Sequence, residues 1–141
     1  MGELNANTHL YEGQIKGKWA ETIPLTVTDE VMRRGRDRFN IYCATCHGLA
    51  GDGNGMMHKR ALENEETTWI PPANYHDERL RAMPVGQIFN TITNGVRNMA
   101  AYGPQIPVRD RWAIIAYIRA LQRSRHATLD DVPDDEKNKL K

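Results

Sequence analysis

The stretch Cys43-Ala44-Thr45-Cys46-His47 decides the fold, because it spells the pattern C-x-x-C-H. On one turn of helix, two thiols three positions apart can each add to a vinyl group of one haem, and the imidazole that follows is directed at the iron. Both cysteines of the chain lie in this motif. The pattern therefore predicts one covalently bound haem c, with Cys43 and Cys46 as the thioether residues and His47 as the proximal iron ligand.

Two other kinds of site share parts of this motif. A C-x-x-C pair can be a redox dithiol, but such dithiols are expected beside a βαβ unit, and the flanking sequence here predicts helix and loop. Structural zinc would take both thiols and His47, yet it normally needs four ligands, and His58 or His76 would have to reach the motif across long loops. Haem is the preferred interpretation.

Composition and charge limit the class of protein. The 141 residues suffice for one domain, and 19 basic against 18 acidic side chains give a net charge of +1, which argues against a nucleic-acid binder. No run approaches the roughly 20 apolar residues that span a bilayer.

Haem attachment is normally completed outside the cytoplasm, and the first residues lack the basic and apolar regions of an export signal. We therefore expect a mature or trimmed exported protein, periplasmic or on the outer face of the cytoplasmic membrane, and the missing segment is where a lipid or membrane anchor would lie.

Apolar spacing predicts a first helix that leads into the haem motif. Thr28 is a capping hydroxyl at its start, and two acids follow it, as suits the positive end of the helix dipole. Gly35 and Phe39 lie on the apolar stripe of this helix. The motif ends the helix, and Gly48 follows as a stop signal.

The rest of the chain divides around this first helix. Three further helices are predicted, over residues 77–81, 84–94 and 110–124. Residues 48–75 are predicted to be a long connection without a clear helix, whose glycine turn at 51–55 fits close passage beside a flat cofactor. Residues 1–27 are predicted to form an extended N-terminal arm, because glycines and a proline interrupt any helix there, and residues 125–141 a charged C-terminal tail. The fold class is all-α, with the main domain in residues 28–124 and no convincing strand pair.

Two groups of arginines are assigned to the surface. The group on the first helix comprises Arg33, Arg34, Arg36 and Arg38. These side chains are expected either to steer an acidic partner or to form a solvated helix face. The group on the last helix comprises Arg111, Arg119 and Arg123, which are assigned to its solvent side.

A sixth iron ligand must come from outside the motif, unless the site is left open. The candidates are five thioethers and four imidazoles, namely Met32, Met56, Met57, Met83, Met99, His9, His58, His76 and His126. Met99 is preferred as the distal ligand, because it lies in a helix-free segment, residues 96–107, that can fold over the distal face of the haem. Met83 is the second candidate, although its place beside Pro84 at a helix start is more simply explained as core.

These features together resemble a class I c-type cytochrome over residues 28–124. The residues that carry the likeness are Gly35, Phe39, the haem motif, Gly95, Met99, Tyr102 and the stretch from Trp112 through Tyr117. The resemblance implies a class I cytochrome c fold, in which the N- and C-terminal helices cross around one covalently bound haem, with close approach at Gly35. It also implies that a proline carbonyl, that of Pro71 or Pro72, orients the proximal imidazole.

The chain is also similar to the monohaem cytochrome c subunit of bacterial alternative complex III, a quinol-oxidising membrane complex. The matching stretches are residues 35–43, 51–55, 86–95 and 109–114. The similarity implies an electron carrier rather than an enzyme, which passes single electrons from a quinol-oxidising respiratory complex to a terminal oxidase or a soluble cytochrome. The alternatives are a cytochrome c domain of a larger oxidase or dehydrogenase, and a haem peroxidase or gas sensor with an open sixth site. Membrane association would come from a missing anchor or from the complex.

Overall fold

The computed structural model describes residues 2–65, 72–97 and 99–125. Its helices are α1 (Gly2–Glu12), α2 (Asp29–Tyr42), α3 (Ala44–His47), α4 (Met56–Glu63), α5 (Glu78–Arg81), α6 (Val85–Asn94) and α7 (Val108–Arg125), and its strands are β1 (Gln14–Ile15) and β2 (Lys18–Trp19). This largely helical architecture confirms the predicted fold class. None of the helices in these ranges is long and apolar enough to cross a membrane. Most of the predicted charged tail, residues 126–141, lies outside the described residues.

Helix α2 begins and ends where the sequence predicts. The hydroxyl of Thr28 accepts a hydrogen bond from the backbone N–H of Val31 at 3.2 Å, which satisfies one of the unpaired donors of the first turn. At the other end, the N–H of Cys43 donates to the carbonyl of Phe39 at 2.8 Å, so the chain passes directly into α3. Gly48 ends α3 with a φ of 81°, a conformation that glycine adopts without strain. The haem motif is thus held at the end of a capped helix.

Helices α2 and α7 pack closely against each other, as expected from Gly35. A Cβ atom at Gly35 would lie 2.0 Å from the carbonyl oxygen of Ala113, so no larger residue fits at this contact. The rings of Phe39 and Tyr117 meet beside it at 5.3 Å between centroids. This packing places the motif against the main core, whose largest fully buried side chains are Trp112, Phe39, Phe89, Ile106, Ile114, Ile115 and Ile118.

A bidentate ion pair also joins these two helices. Arg34 donates from Nε and Nη2 to the two carboxylate oxygens of Asp110, both at 3.0 Å. One member of the predicted arginine group is therefore engaged within the fold, and Arg38 contacts Asp37 at 3.4 Å. Other members, such as Arg33, remain exposed on the solvated side of α2.

The extended arm predicted for residues 1–27 is not found over residues 2–19, which form a helix and a hairpin. Helix α1 precedes Gly13, and the strands β1 and β2 form a hairpin whose two turn residues, Lys16 and Gly17, both have positive φ. Such a turn matches the twist of paired strands. The indole N–H of Trp112 donates to the carbonyl of Leu10 at 2.7 Å and ties α1 to α7. The glycines do interrupt helix, but they lie after α1 and at the hairpin turn.

The connection between the motif and α5 contains a helix that the sequence analysis missed. Helix α4 buries only Ala61, whereas Met56 and Leu62 are exposed, so its apolar residues form no inward stripe that a sequence pattern could reveal. The later helices agree better with prediction. Helix α6 ends at Gly95, which has a φ of 76°, and α7 begins at Val108, two residues before the predicted start.

Candidate haem site

The motif folds as the single turn of helix that its spacing requires. The N–H groups of Cys46 and His47 both donate to the carbonyl of Cys43, at 3.2 and 2.9 Å. Cys43 is buried, Cys46 is half-buried, and both are free thiols. His47 is also buried. Two thiols and an imidazole are therefore presented together beside the core, as covalent attachment of one haem requires.

The imidazole of His47 is oriented by the main chain of a later segment. Its Nδ1 lies 3.1 Å from the carbonyl oxygen of Ala73. Because a carbonyl can only accept, Nδ1 carries the proton, and the lone pair of Nε2 is left for iron. Burial lowers the pKa of His47, whereas the bond to Ala73 raises it, and the neutral form that ligates a metal is favoured.

The expected proline carbonyl is replaced by the one that follows it. A Cβ at Gly53 would lie 2.8 Å from the carbonyl oxygen of Pro72, so that carbonyl faces the glycine turn. The carbonyl within hydrogen-bonding distance of His47 is that of Ala73, the next residue. Of the two candidates Pro71 and Pro72, Pro72 is therefore not the residue bonded to His47, and Pro71 lies outside the described residues.

The glycine turn wraps the backbone of the motif. The N–H of Gly53 donates to the carbonyl of His47 at 2.8 Å, and the N–H of Gly55 donates to that of Cys46 at 3.2 Å. A Cβ at Gly55 would lie 2.2 Å from the carbonyl oxygen of Thr45, so the approach needs a residue without a side chain. The turn thereby fixes the peptide groups next to the iron-ligating imidazole.

Two tyrosines stand close to the motif from opposite parts of the chain. The ring of Tyr75 stacks on the imidazole of His47 at 4.6 Å between centroids, with 20° between planes. Burial raises the pKa of Tyr75 and of Tyr102, and the nearby thiols of Cys43 and Cys46 raise both further. The two phenols thus stay neutral beside the thiols, where they provide the flat, uncharged lining that a macrocycle needs. Trp69, a further candidate for this lining, lies outside the described residues.

The electrostatics of the thiols disfavour a redox dithiol. Burial, with a smaller contribution from Cys46, raises the pKa of Cys43 to about 12, and burial also raises the pKa of Cys46. Redox-active C-x-x-C pairs instead need a lowered thiol pKa. Within the described ranges there is no group of three or more His, Cys, Asp and Glu side chains that could hold a metal ion.

The methionines fall into two sets by position. Met56 and Met57 are 57% and 42% exposed on α4, and Met32 lines a surface groove. Met83 and Met99 are partly buried and pack against the core that contains Cys43. The structure therefore leaves the two methionines that the sequence analysis ranked first and second as the candidates for the distal side.

Two of the histidines considered as alternative ligands are engaged elsewhere. His9 lies with Nε2 2.6 Å from the carbonyl oxygen of Thr22, and His76 with Nε2 2.7 Å from that of Ala50. His126 lies outside the described residues.

The helix-free segment that carries Met99, residues 96–107, is called the distal segment, and its described residues are held by backbone hydrogen bonds. Val96 and Met99 exchange backbone hydrogen bonds at 2.8 and 3.2 Å. Tyr102 then returns alongside α6, where its N–H donates to the carbonyl of Ile92 at 2.9 Å, and its ring lies 6.2 Å from that of Tyr42 at the end of α2. The distal segment therefore comes back beside the haem motif.

Two arginines of α7 that were assigned to the solvent side are not there. Arg111 is 8% exposed and donates to the main chain of the distal segment, and Arg119 donates to carbonyls at the end of α5, including that of Leu80 at 3.1 Å. A signal existed for Arg111, since it precedes the buried Ile115 and Ile118 by four and seven positions and so shares their helix face. The charge of Arg111 suggested solvent exposure, whereas its position on the helix indicated burial.

Comparisons with known proteins agree with this geometry. The family model described as cytochrome c oxidase, cbb3-type, subunit III matches residues 30–118, from the first turn of α2 into α7. A comparison with curated proteins found no match. A chain of the Kuenenia stuttgartiensis reducing HAO-like protein complex Kustc0457/Kustc0458 is similar in structure, with a TM-score of 0.57 and 16% identity over 81% of this chain and 54% of that chain. At this identity the likeness shows the fold alone, and this chain spans about half the length of that neighbour.

Proposed function

Since this chain belongs to the cytochrome c family described as cbb3-type cytochrome c oxidase subunit III, we propose that it is a monohaem electron carrier in which His47 and Met99 would bind the haem iron. Family membership implies a covalently bound haem c and haem-based electron transfer. The ligand set, the partners and the cellular location are the parts that we add. The observation that carries the proposal is the buried His47, held through Nδ1 by the carbonyl of Ala73 beside two free thiols.

The residues of the motif fit the cofactor. Cys43 and Cys46 would hold it through two thioether bonds, and His47 would bind its iron through Nε2. When bound, haem c supplies an iron that alternates between Fe(II) and Fe(III). The Ala73 carbonyl and the stacked ring of Tyr75 hold the imidazole in one orientation, which limits the rearrangement that accompanies electron transfer.

Met99 is the thioether that we assign to the distal side. It is half-buried against the core, and it lies three residues before Tyr102, whose hydroxyl is close enough to both motif thiols to interact with them electrostatically. A soft thioether favours Fe(II) and raises the reduction potential relative to more basic ligands. An electron carrier can have a protein ligand at the sixth coordination position of its iron, whereas a peroxidase or a gas sensor needs that position open.

We assign the electrons to a quinol-oxidising respiratory complex as donor and to a terminal oxidase or soluble cytochrome as acceptor. The support is the similarity of residues 35–43 and 86–95 to the monohaem subunit of alternative complex III. On this assignment the protein works in the periplasm or on the outer face of the cytoplasmic membrane. A second candidate is a cytochrome domain of a larger oxidase, which the description of the matched family favours.

The ligand assignment is tested by a redox titration followed by absorbance. We expect the wild type to show a methionine-to-iron charge-transfer band and no carbon monoxide binding at neutral pH. Met99→Ala should lose the band completely and have a markedly lower potential, because the thioether no longer favours Fe(II). The matched variant Met83→Ala, from the other partly buried candidate, should keep both.

Three outcomes would contradict this assignment. A Met99→Ala variant with an unchanged spectrum removes Met99 from the site. Loss of the band in Met83→Ala alone makes Met83 the ligand. Ready carbon monoxide binding by the wild type indicates an open site and an enzyme or sensor.

The assignment of partners is tested on native membranes solubilised in mild detergent. Co-purification of the cytochrome with quinol-oxidising activity supports the first assignment. Co-purification with oxygen-reducing activity, in a single longer polypeptide, supports the oxidase domain instead.

A further inference from the structure

Arg111 is a buried cation whose partners are neutral. It is 8% exposed, and its guanidinium donates from Nε to the carbonyl of Ile106 at 2.8 Å, from Nη2 to the carbonyl of Gly103 at 2.9 Å and from Nη1 to the hydroxyl of Thr93 at 3.1 Å. Neither of the ion pairs found within the described ranges involves it. Arginine is almost never buried without a charged partner, so this arrangement calls for a specific reason.

The three acceptors lie at the two ends of the distal segment. Thr93 is on the last turn of α6, just before the segment begins, and Gly103 and Ile106 are where the segment returns towards α7. The N–H of Gly103 also donates to the carbonyl of Thr93 at 3.1 Å. One side chain of α7 thus joins the entry and the exit of the loop that carries Met99.

The guanidinium is itself fixed in place. It lies over the ring of Phe89, with 5.4 Å from its central carbon to the ring centroid, and Phe89 stacks on Trp112 at 4.5 Å. Burial lowers the pKa of Arg111, because desolvation disfavours its charged form. The surroundings of Arg111 offer three acceptors that lie in different directions. The planar guanidinium group has five N–H donors and can reach all three, whereas a lysine ammonium group in the same position cannot.

We propose that Arg111 is a positioning residue for the distal iron ligand, which joins the two ends of the distal segment as a clamp so that Met99 is kept at the haem. This inference rests on the proposed ligation by Met99. A thioether favours Fe(II), and its bond to Fe(III) is correspondingly weaker, so the ferric protein depends most on a loop that is already ordered. Without the clamp, the loop opens more often, and Met99 is replaced more readily by another ligand.

The inference is tested by following the methionine-to-iron band of the ferric holoprotein as pH is raised. In Arg111→Lys and Arg111→Gln, we expect the fraction of protein without the methionine ligand to rise about tenfold, since at least one hydrogen bond from a charged donor is lost. When loss of the methionine ligand is coupled to the release of one proton, a tenfold change lowers the pH midpoint of the methionine-to-iron band by about one unit. Carbon monoxide should also bind the ferrous variants faster, because its binding requires Met99 to leave.

Arg119→Lys is the matched control. Arg119 is on the same helix and likewise donates to main-chain carbonyls, including those of Leu80 and Arg81 at 3.1 and 3.3 Å, but none of these belongs to the distal segment. We expect it to lower the free energy of unfolding without moving the midpoint of the band. Equal shifts in the Arg111 and Arg119 variants would mean a general loss of stability and would overturn the proposal.

Met99→Ala separates this inference from the proposed function. If Met99→Ala keeps the band, the ligand assignment fails, and the clamp fails with it. If Met99→Ala loses the band and both Arg111 variants keep the wild-type midpoint, the clamp is wrong and the function stands.

Should the Arg111 variants yield no holoprotein, Thr93→Val decides by removing one acceptor at nearly constant shape. A lower midpoint supports the clamp, and an unchanged one overturns it.

Discussion

The proximal and distal sides of the haem site are held together in different ways. On the proximal side, the motif is fixed by main-chain groups, such as the N–H groups of Gly53 and Gly55 and the carbonyl of Ala73. On the distal side, the two ends of the segment that carries Met99 are joined by the side chain of Arg111 from α7. The proximal side should therefore tolerate changes of side chain away from the motif, whereas the distal side should depend on one side chain of α7.

The largest expected effect is on covalent attachment, which should depend on the proximal side alone. Replacing both thiols, in Cys43→Ala combined with Cys46→Ala, should abolish covalent haem, because no other cysteine exists in the chain. A haem stain on a denaturing gel measures this directly. Met99→Ala is the control and should retain the stain at the wild-type intensity. Loss of covalent haem in that control would show that attachment needs an ordered distal segment, and the comparison between the two sides would fail.

The second largest expected effect is a difference in stability between variants of two glycines, one on the proximal side and one on the distal side of the haem site. A Cβ at Gly55 would lie 2.2 Å from the carbonyl oxygen of Thr45, whereas one at Gly103 would lie 2.9 Å from that of Thr93 and 3.2 Å from its methyl group. Gly55→Ala must displace backbone within the motif and should lower the free energy of unfolding by about 3 kcal/mol, and Gly103→Ala by about 1 kcal/mol. Denaturant unfolding of the two holoproteins measures both. Equal losses would mean that the distal segment is packed as tightly as the proximal turn.

The features that sequence predicted share a physical basis in side-chain pattern. The spacing of Cys43, Cys46 and His47 is itself the chemistry of attachment, and the first and last helices are marked by caps and apolar periodicity. Gly35 was recognised because a close helix contact needs a missing side chain, and the 2.0 Å approach of Ala113 confirms it. Each of these signals depends on which residue stands at a position.

The features that sequence missed depend instead on main-chain acceptors. The carbonyl that holds His47 belongs to Ala73, the carbonyl that ties α1 to Trp112 belongs to Leu10, and two of the three acceptors of Arg111 are carbonyls. Every residue has a carbonyl, so the sequence does not mark which one is used. That is why a buried arginine was assigned to solvent and a packed N-terminal helix to an extended arm.

The smallest expected effect concerns Gln122, a side chain of α7 that contacts the chain just after Ala73. Gln122 is buried, and it donates to the carbonyl of Tyr75 and accepts from Arg119, both at 2.8 Å. Gln122→Met removes the side-chain donor to the carbonyl of Tyr75 and one of the acceptors of Arg119, and should lower the free energy of unfolding by about 1 to 2 kcal/mol, while the exposed Gln105→Met should change it little. The pH midpoint of the methionine-to-iron band should stay at the wild-type value, because His47 keeps its main-chain partners and the distal clamp is untouched. A midpoint that falls as far as in Arg111→Lys would show that the two sides are held as one unit through α7.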